Sequence, residues 1–378
     1  MTARERVRMA LRHGETDHIP IHDSPWMSAV ERWHQEGLPP QVNPAEYFHY
    51  ELVAFGADTS PRFLIEVLEE DDEYLVRTTP FGGVRRDHKD YSSTPEIVDW
   101  PCKSREDWEQ LKERLTPDRD RVDWEGQWLA GTAEDQRDEQ SVLETGRTER
   151  RLGLPGWRKA REQGRFIVYG AAFGYDKVQS YMESQQLLMA IATDPDWLRD
   201  MYETDATLNI QMYEVMKGGG FQFDGAFLFC DLGYRNGLLF SPHHYDEQLR
   251  PTFQRLVNYF HDEGLPVILH SCGCVKELIP RFIEDGLECL QPLEQKAGMD
   301  LLDLKREYGK DLAFMGGIDV RAMAHADPTA IEEEIRTKIP AAKRGGGYIY
   351  HSDHSVPDNV SFSRYEHVLE LVRQYGHY

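Results

Sequence analysis

The sequence lacks a long apolar run. Its 378 residues are 40% hydrophobic, but no stretch approaches the roughly 20 consecutive apolar residues that a membrane-spanning helix needs. The N-terminal stretch MTARERVRMALRHGETDHIP has basic residues with no apolar segment after them, so it does not look like a secretory signal. We therefore expect a cytoplasmic protein that does not enter a membrane.

The sequence is also short of basic charge and of cysteine. Lysine and arginine total 43 against 66 acidic residues, which gives a formal net charge of −23. Such an acidic surface repels polyanions, so nucleic acid is not an expected partner. The five cysteines are odd in number and widely spread, which is not the framework of a disulfide-stapled secreted domain. Reduced thiols are therefore expected.

What the sequence does contain is a regular alternation of short apolar runs with stretches of helical periodicity. Apolar strands separated by helices indicate a parallel sheet covered on both faces. Two early candidate strands, residues 17–23 and 54–65, bring the total to about eight, which favours a (β/α)8 TIM barrel. No GxGxxG follows the first strand, so a dinucleotide-binding fold is disfavoured. The six later runs are residues 165–173, 223–231, 265–271, 287–294, 312–319 and 347–353.

The composition changes between residues 84 and 165. Charged residues and tryptophan are dense there, and one amphipathic helix follows Ser104. We predict a single α/β barrel domain over residues 1–378, with an inserted cap at about 84–165.

Polar side chains stand at the ends of the predicted strands, where catalytic groups lie in such barrels. His270 and Cys272 are two residues apart in an extended segment, so their side chains point the same way. Imidazole nitrogen and thiolate sulfur are ligands that Zn²⁺ favours, and a catalytic zinc takes three protein ligands. His354 is the first candidate for the third ligand, and Glu294 or Asp231 is the next candidate.

Further strand-end residues are predicted to line the mouth of the barrel. Asp231, Glu294 and Asp319 are the expected catalytic carboxylates. Cys274 is either a spare ligand or a reactive thiol. The alternative for the His and Cys residues is a buried, hydrogen-bonded structural role, because a histidine or cysteine near a strand end often has one.

Several segments carry a resemblance to a known family. They are RERVRMAL, DGAFLFCDLGYRNGLLFSPHHYDEQLRP, the stretch from LPVILHSCGC to LAFMGGID, and GGGYIYHSDHSVPDN. Together they resemble the uroporphyrinogen decarboxylase superfamily over most of residues 1–35 and 165–378. The resemblance implies a (β/α)8 barrel.

The superfamily contains two chemistries. Its decarboxylases carry an arginine-rich motif after the first strand, where this chain reads HDSPWMS, without arginine. Its zinc-dependent methyltransferases carry H-x-C at a strand end, which His270 and Cys272 match. Their third zinc ligand is a cysteine after the last strand, where this chain has His354.

The resemblance therefore implies a zinc-dependent methyltransferase. Such an enzyme moves a methyl group between a methyl-corrinoid (cobalamin) protein and a small thiol or methoxylated substrate, and the corrinoid is expected on a partner protein. Two alternatives stay open: a lyase that decarboxylates a porphyrinogen or another polycarboxylate, and a non-catalytic protein that binds a corrinoid or tetrapyrrole.

Overall fold

The computed structural model describes residues 1–40, 42–89, 95–126 and 153–378. The strands of this part, β1 to β13 in chain order, are Leu52–Phe55, Val67–Glu70, Tyr74–Thr78, Val84–His88, Glu96–Asp99, Phe166–Ala172, Gly225–Phe229, Gly233–Tyr234, Gly237–Leu238, Val267–His270, Cys289–Gln291, Ala313–Met315 and Tyr348–Ile349. The α-helices are Ala3–Leu11, Met27–Glu36, Pro44–Tyr47, Arg105–Lys112, Gly153–Glu162, Gly174–Gln179, Ser184–Thr193, Pro195–Gly218, Pro242–His244, Arg250–Asp262, Ile279–Glu284, Leu301–Tyr308, Val320–Met323, Thr329–Ala342 and Phe362–Gly376.

The main sheet has seven parallel strands in the order β1-β6-β7-β10-β11-β12-β13. At least one helix separates each strand of this sheet from the next along the chain, as parallel pairing requires. The predicted α/β class and parallel sheet are therefore confirmed, and each of the six later apolar runs contains a strand of this sheet.

The two early predictions fare differently. A strand over 54–65 is wrong beyond Phe55, because the chain leaves the sheet there and Arg62 adopts a left-handed φ of 57° after Pro61. Residues 17–23 contain only isolated bridges, since Pro20 has no N–H to donate. Ile21 nevertheless bridges Tyr350 in parallel, and its carbonyl accepts from the Glu51 N–H at 2.8 Å.

Alternate residues along the sheet belong to two separate apolar clusters. One contains only residues of the strands and of the first helix, so it lies on the concave side of the curled sheet. We call it the inner cluster: Val7, Ala10, Leu11, Leu52, Ala54, Phe166, Val168, Phe227, Phe229, Ile268, Cys289, Ala313, Met315 and Ile349. The other strand positions face outward and pack against the surrounding helices.

The first helix covers the amino-terminal end of the inner cluster. It begins at a capping box formed by Thr2 and Glu5, and the Arg4 N–H donates to the Gly164 carbonyl ahead of β6 at 2.7 Å. Because this end is covered, the opposite end, where the strands finish, is the place for a site. No helix in the described part of the chain is both long and apolar enough to cross a membrane.

A separate antiparallel sheet, in the order β2-β3-β4-β5, spans Val67 to Asp99. It starts before residue 84, so its first two strands precede the predicted boundary of the cap. Residues 90–94 and 127–152 of the predicted cap lie outside the described residues. The extent of the cap and the single-domain organisation stay predictions.

Candidate metal and active site

Side chains converge beyond the strand ends because the alternation of side-chain direction along each strand continues there. Positions two residues after inner-cluster members of four strands point to the same side. These positions carry polar groups where the strands carry apolar ones: Asp231 after Phe229, His270 after Ile268, Gln291 after Cys289 and His351 after Ile349. The inner face of the sheet thus changes from apolar to polar at its carboxyl end.

Three of the side chains there, those of Asp231, His270 and Cys272, form a group that could hold a metal ion. Because of this possible role we call it the metal-binding group. The ligand atoms of Asp231, His270 and Cys272 all lie within 4.8 Å of one another, and each residue is half-buried. The His270 Nε2 atom is 3.4 Å from the Asp231 Oδ1 atom and 3.5 Å from the Cys272 Sγ atom. The sequence prediction that His270 and Cys272 point the same way agrees with this geometry.

The charges in this group depend on one another. Burial opposes ionisation of Asp231, but its hydrogen bond to His270, the charge of His270 and the Cys272 N–H together outweigh burial and hold the carboxyl pKa below 3.8. Burial also opposes the charge on His270, yet Cys272 and Asp231 beside it hold the imidazole pKa well above 6.5. Burial, and then the negative Asp231, raises the pKa of Cys272 to about 11. Without a bound metal ion the sulfur is therefore a thiol at neutral pH.

Two loops that carry these residues pack backbone against backbone. Gly273 has a left-handed φ of 76°, and a Cβ atom there would lie 2.3 Å from the Gly233 carbonyl carbon. The Cys272 N–H donates to the Asp231 Oδ1 atom at 2.7 Å, and the Cys274 N–H donates to the Tyr234 carbonyl at 2.9 Å. The absence of a side chain at Gly273 therefore allows the two loops to bring Asp231 to Cys272.

Glu294 is the second carboxylate at this mouth. Its Oε2 atom accepts from the Gly273 N–H at 2.8 Å, and its Oε1 atom pairs with the Lys296 Nζ atom at 2.9 Å. Its side chain is only 9% exposed. The carboxylate is thus fixed on the residue that follows Cys272.

Asp231 is the third member of the group that could hold a metal ion, whereas His354, the first candidate from the sequence, lies outside that group. The half-buried His354 ring lies 6.2 Å from the Trp26 ring, and burial and then Lys296 lower its pKa. It is near enough to His270 and Asp231 for their charges to interact. A ligand role for His354 stays a prediction.

Asp319 caps the amino-terminal end of a short helix. Its Oδ1 atom accepts from the Arg321 N–H at 2.8 Å at the start of the helix Val320–Met323, and its carboxylate pairs with the Arg321 guanidinium. Its predicted catalytic role is not supported by a contact with the metal-binding group in the described residues. Cys274 lies outside that group too, two residues before the turn Lys276–Leu278.

Two other polar residues at the strand ends, Gln291 and His351, lie next to His270. The His270 Nδ1 atom contacts the Gln291 Oε1 atom, and the Gln291 Nε2 atom is 3.3 Å from the His351 Nε2 atom. Both residues are buried. The sequence signal for both residues is their position, because each stands two residues after an inner-cluster member.

Comparison with known proteins places this site in a family. The sequence model of uroporphyrinogen decarboxylase (URO-D) matches residues 177–375, which include every residue of the metal-binding group. No curated protein matches the chain.

Solved structures provide two further comparisons. A methyltransferase from Methanosarcina mazei is 15% identical, with 99% of each chain covered and a TM-score of 0.62, which shows a shared fold. A protein from Listeria monocytogenes described as a vitamin-B12-independent methionine synthase is 10% identical, with 95% of this chain and 98% of that chain covered. Its TM-score of 0.38 is too low to indicate a shared fold.

Proposed function

The chain belongs to the uroporphyrinogen decarboxylase family, and within that family we propose that it is a zinc-dependent methyltransferase. It would move a methyl group between a methyl-corrinoid protein and a small thiol or methoxylated substrate. The shared fold with the Methanosarcina mazei methyltransferase is compatible with this activity, although fold alone does not determine chemistry.

The observation that carries the proposal is the meeting of oxygen, nitrogen and sulfur donors from Asp231, His270 and Cys272. These donors suit zinc, which is bound by carboxylate, imidazole and thiolate and keeps one position open in catalytic sites. Their place at the carboxyl ends of the strands is where barrel enzymes carry their active sites. The residues therefore fit a catalytic zinc.

Asp231, His270 and Cys272 would hold the ion, and His354 is retained as a further proposed ligand because its ring lies at the same mouth. When bound, zinc would act as a Lewis acid that favours the anionic form of a substrate thiol or polarises a substrate oxygen.

The protein's own groups have separate tasks in this proposal. The Gly273 N–H and Lys296 hold the Glu294 carboxylate at the mouth, where its charge would orient the polar end of a small substrate. Burial lowers the pKa of His354, so when it is not a ligand its ring is a neutral base at pH 7. It could then accept the proton that a substrate thiol releases.

We also propose that the barrel is eightfold. The segment around Ile21 lies between β13 and β1, with a parallel bridge to Tyr350 and a hydrogen bond from Glu51. It would take the eighth position in the ring of strands. The corrinoid carried by a partner protein and the cytoplasmic location are part of the same proposal.

Zinc analysis of the purified protein tests the site directly. We expect about one zinc per chain in the parent and none in His270→Ala or Cys272→Ala, because each variant loses one of three ligands. Cys274→Ala is the matched control: Cys274 is also a half-buried thiol but lies outside the group, so this variant should keep its zinc. A parent protein purified and reconstituted with zinc that holds none would refute the proposal.

Activity assays separate the methyltransferase from its alternatives. The expected result is transfer of the methyl group of methylcobalamin to a small thiol, with loss in His270→Ala. The match to the URO-D model favours the decarboxylase as the second candidate, and release of carbon dioxide from uroporphyrinogen would support it. Tight corrinoid binding without turnover, unchanged in both alanine variants, would indicate a non-catalytic binding protein.

A further inference from the structure

A line of hydrogen bonds runs from a backbone carbonyl to the metal-binding group. The His351 Nδ1 atom is 2.6 Å from the Ser352 carbonyl oxygen. The His351 Nε2 atom is 3.3 Å from the Gln291 Nε2 atom, and the Gln291 Oε1 atom contacts the His270 Nδ1 atom. In each of these hydrogen bonds, the donor can be assigned from which of the two atoms is able to carry a proton.

The assignment of donors and acceptors starts at the carbonyl of Ser352. A carbonyl oxygen only accepts, so the His351 Nδ1 atom carries a proton and donates it. Burial lowers the pKa of His351, and its ring is therefore neutral with a lone pair on Nε2. The Ser24 hydroxyl, 3.2 Å away, can donate to the same Nε2 atom.

The acceptor on His351 fixes the side-chain amide of Gln291. The amide nitrogen of Gln291 only donates, and it faces the His351 Nε2 lone pair. The amide oxygen must then face His270, where it accepts from Nδ1–H. The flipped amide would require protons on both nitrogens of His351 and therefore a charged ring. A charged ring is disfavoured there because His351 is only 1% exposed.

We infer that Gln291 is a positioning residue that keeps a proton on the His270 Nδ1 atom, so that Nε2, which faces Asp231 and Cys272, is the nitrogen that can give up its proton and bind a metal ion. The Nε2 atom is the one that lies 3.4 Å from Asp231 and 3.5 Å from Cys272. Histidines that bind metals are oriented in this way by the partner of their second nitrogen. The proton on Nδ1 follows from the hydrogen bonds of a neutral His351 and of Gln291, whereas its consequence for metal binding rests on the proposed function.

Nitrogen NMR of metal-free protein labelled with ¹⁵N-histidine tests the position of the proton. Spectra are recorded at an alkaline pH where the ring is neutral, and the His270 signals are assigned by their loss in His270→Ala. We expect the proton on Nδ1 in the parent and a shift of the proton toward Nε2 in Gln291→Met, because that variant has no amide oxygen to accept from Nδ1–H while Asp231 can still accept from Nε2–H. A parent with the proton on Nε2, or a Gln291→Met spectrum with the proton still fixed on Nδ1, would overturn the inference.

Metal affinity tests the consequence. Zinc affinity, measured by competition with a chelator, should fall about 10–100-fold in Gln291→Met, as is typical for loss of an outer-sphere partner. Gln291→Glu keeps an acceptor for Nδ1–H and should bind zinc more tightly than Gln291→Met. The matched control is Gln248→Met, which removes another buried amide, one that donates to the Ile191 carbonyl at 2.8 Å. It should bind zinc within about threefold of the parent.

The results distinguish a failed inference from a failed function. Equal zinc affinity in the parent and Gln291→Met, or equal losses in Gln291→Met and Gln248→Met, would contradict a positioning role. If the parent binds no zinc, the proposed function fails, and the proton position from NMR alone then decides whether the inference is right.

Discussion

At the scale of single residues, Asp231 has two tasks in the site. One oxygen, Oδ1, is 3.4 Å from the His270 imidazole and also accepts from the Cys272 N–H at 2.7 Å. The carboxylate therefore orders the loop that carries the sulfur and adds a negative charge beside it. His354 has the right chemistry for a ligand but does not belong to the same close group.

Paired substitutions at Asp231 and His354 decide which residue is the third ligand. Asp231→Asn keeps an oxygen for the Cys272 N–H but loses the charge, so we expect zinc affinity to fall more than about 100-fold, beyond the usual effect of outer-sphere partners. His354→Ala should change the affinity less than about tenfold. Both are measured by chelator competition. The reverse order would make His354 the ligand and Asp231 its neighbour.

At the scale of elements, the site depends on two loops that meet after β7 and β10. The turn after β10 passes through Gly273 with a left-handed φ, and the backbone of Gly233 fills the space where a side chain would lie. The parallel register places His270 level with Phe229 on one side and Gln291 on the other. Strand pairing therefore sets where the ligand atoms lie along the sheet, and the contact between Gly273 and Gly233 sets the distance between them.

Alanine substitutions at two glycines separate loop contact from backbone strain. Gly273→Ala and Gly264→Ala both place alanine at a left-handed φ, 76° and 75° respectively, which costs about 1–2 kcal/mol of stability. Only at Gly273 would the new Cβ overlap another backbone, since nothing lies within 4 Å at Gly264. Gly273→Ala should therefore cost about 1–3 kcal/mol more in denaturant unfolding, as overpacking does.

The same pair should differ in metal binding. Gly273→Ala is expected to lose zinc because it pushes Cys272 away from Asp231, and Gly264→Ala should retain it. Equal unfolding free energies for the two variants would show that the loops move apart freely and that their contact does not hold the site.

At the scale of the whole molecule, one buried carboxylate joins the two ends of the chain. Asp23 accepts hydrogen bonds from the Ser352 hydroxyl, from the Tyr350 hydroxyl at 3.3 Å and from the Tyr365 hydroxyl at 2.8 Å. It is 2% exposed. The early segment is thereby fastened to the last strand and the last helix, although regular strand pairing does not hold it.

Removal of this carboxylate should destabilise the entire fold. Asp23→Ala leaves several buried hydroxyl donors without their acceptor, so we expect a loss of about 2–4 kcal/mol in the free energy of unfolding. The control is Asp303→Ala, which removes an exposed carboxylate paired with Arg306 three residues away and should cost less than about 1 kcal/mol. Denaturant titration measures both, and equal losses would contradict a joining role for Asp23.

Much of this organisation could be predicted from the sequence. The apolar runs after residue 165 determine a parallel α/β sheet because each is too short and too apolar for a surface helix. The spacing of His270 and Cys272 determines that their side chains share one side, because an extended chain repeats every two residues. The irregular segment at Ile21 was harder to predict, since its place depends on partners at Glu51 and Tyr350 that are distant in sequence.

The sequence alone thus determined the sheet, the order of its strands along the chain and the pair His270 and Cys272, because these depend on local periodicity. Only the tertiary structure decided that Asp231 joins this pair and that Gln291 faces His270. Asp231 is 41 residues from Cys272 and Gln291 is 21 residues from His270. Such partners are chosen by strand register and by the close approach of two loops, and neither is encoded in the spacing of neighbouring residues.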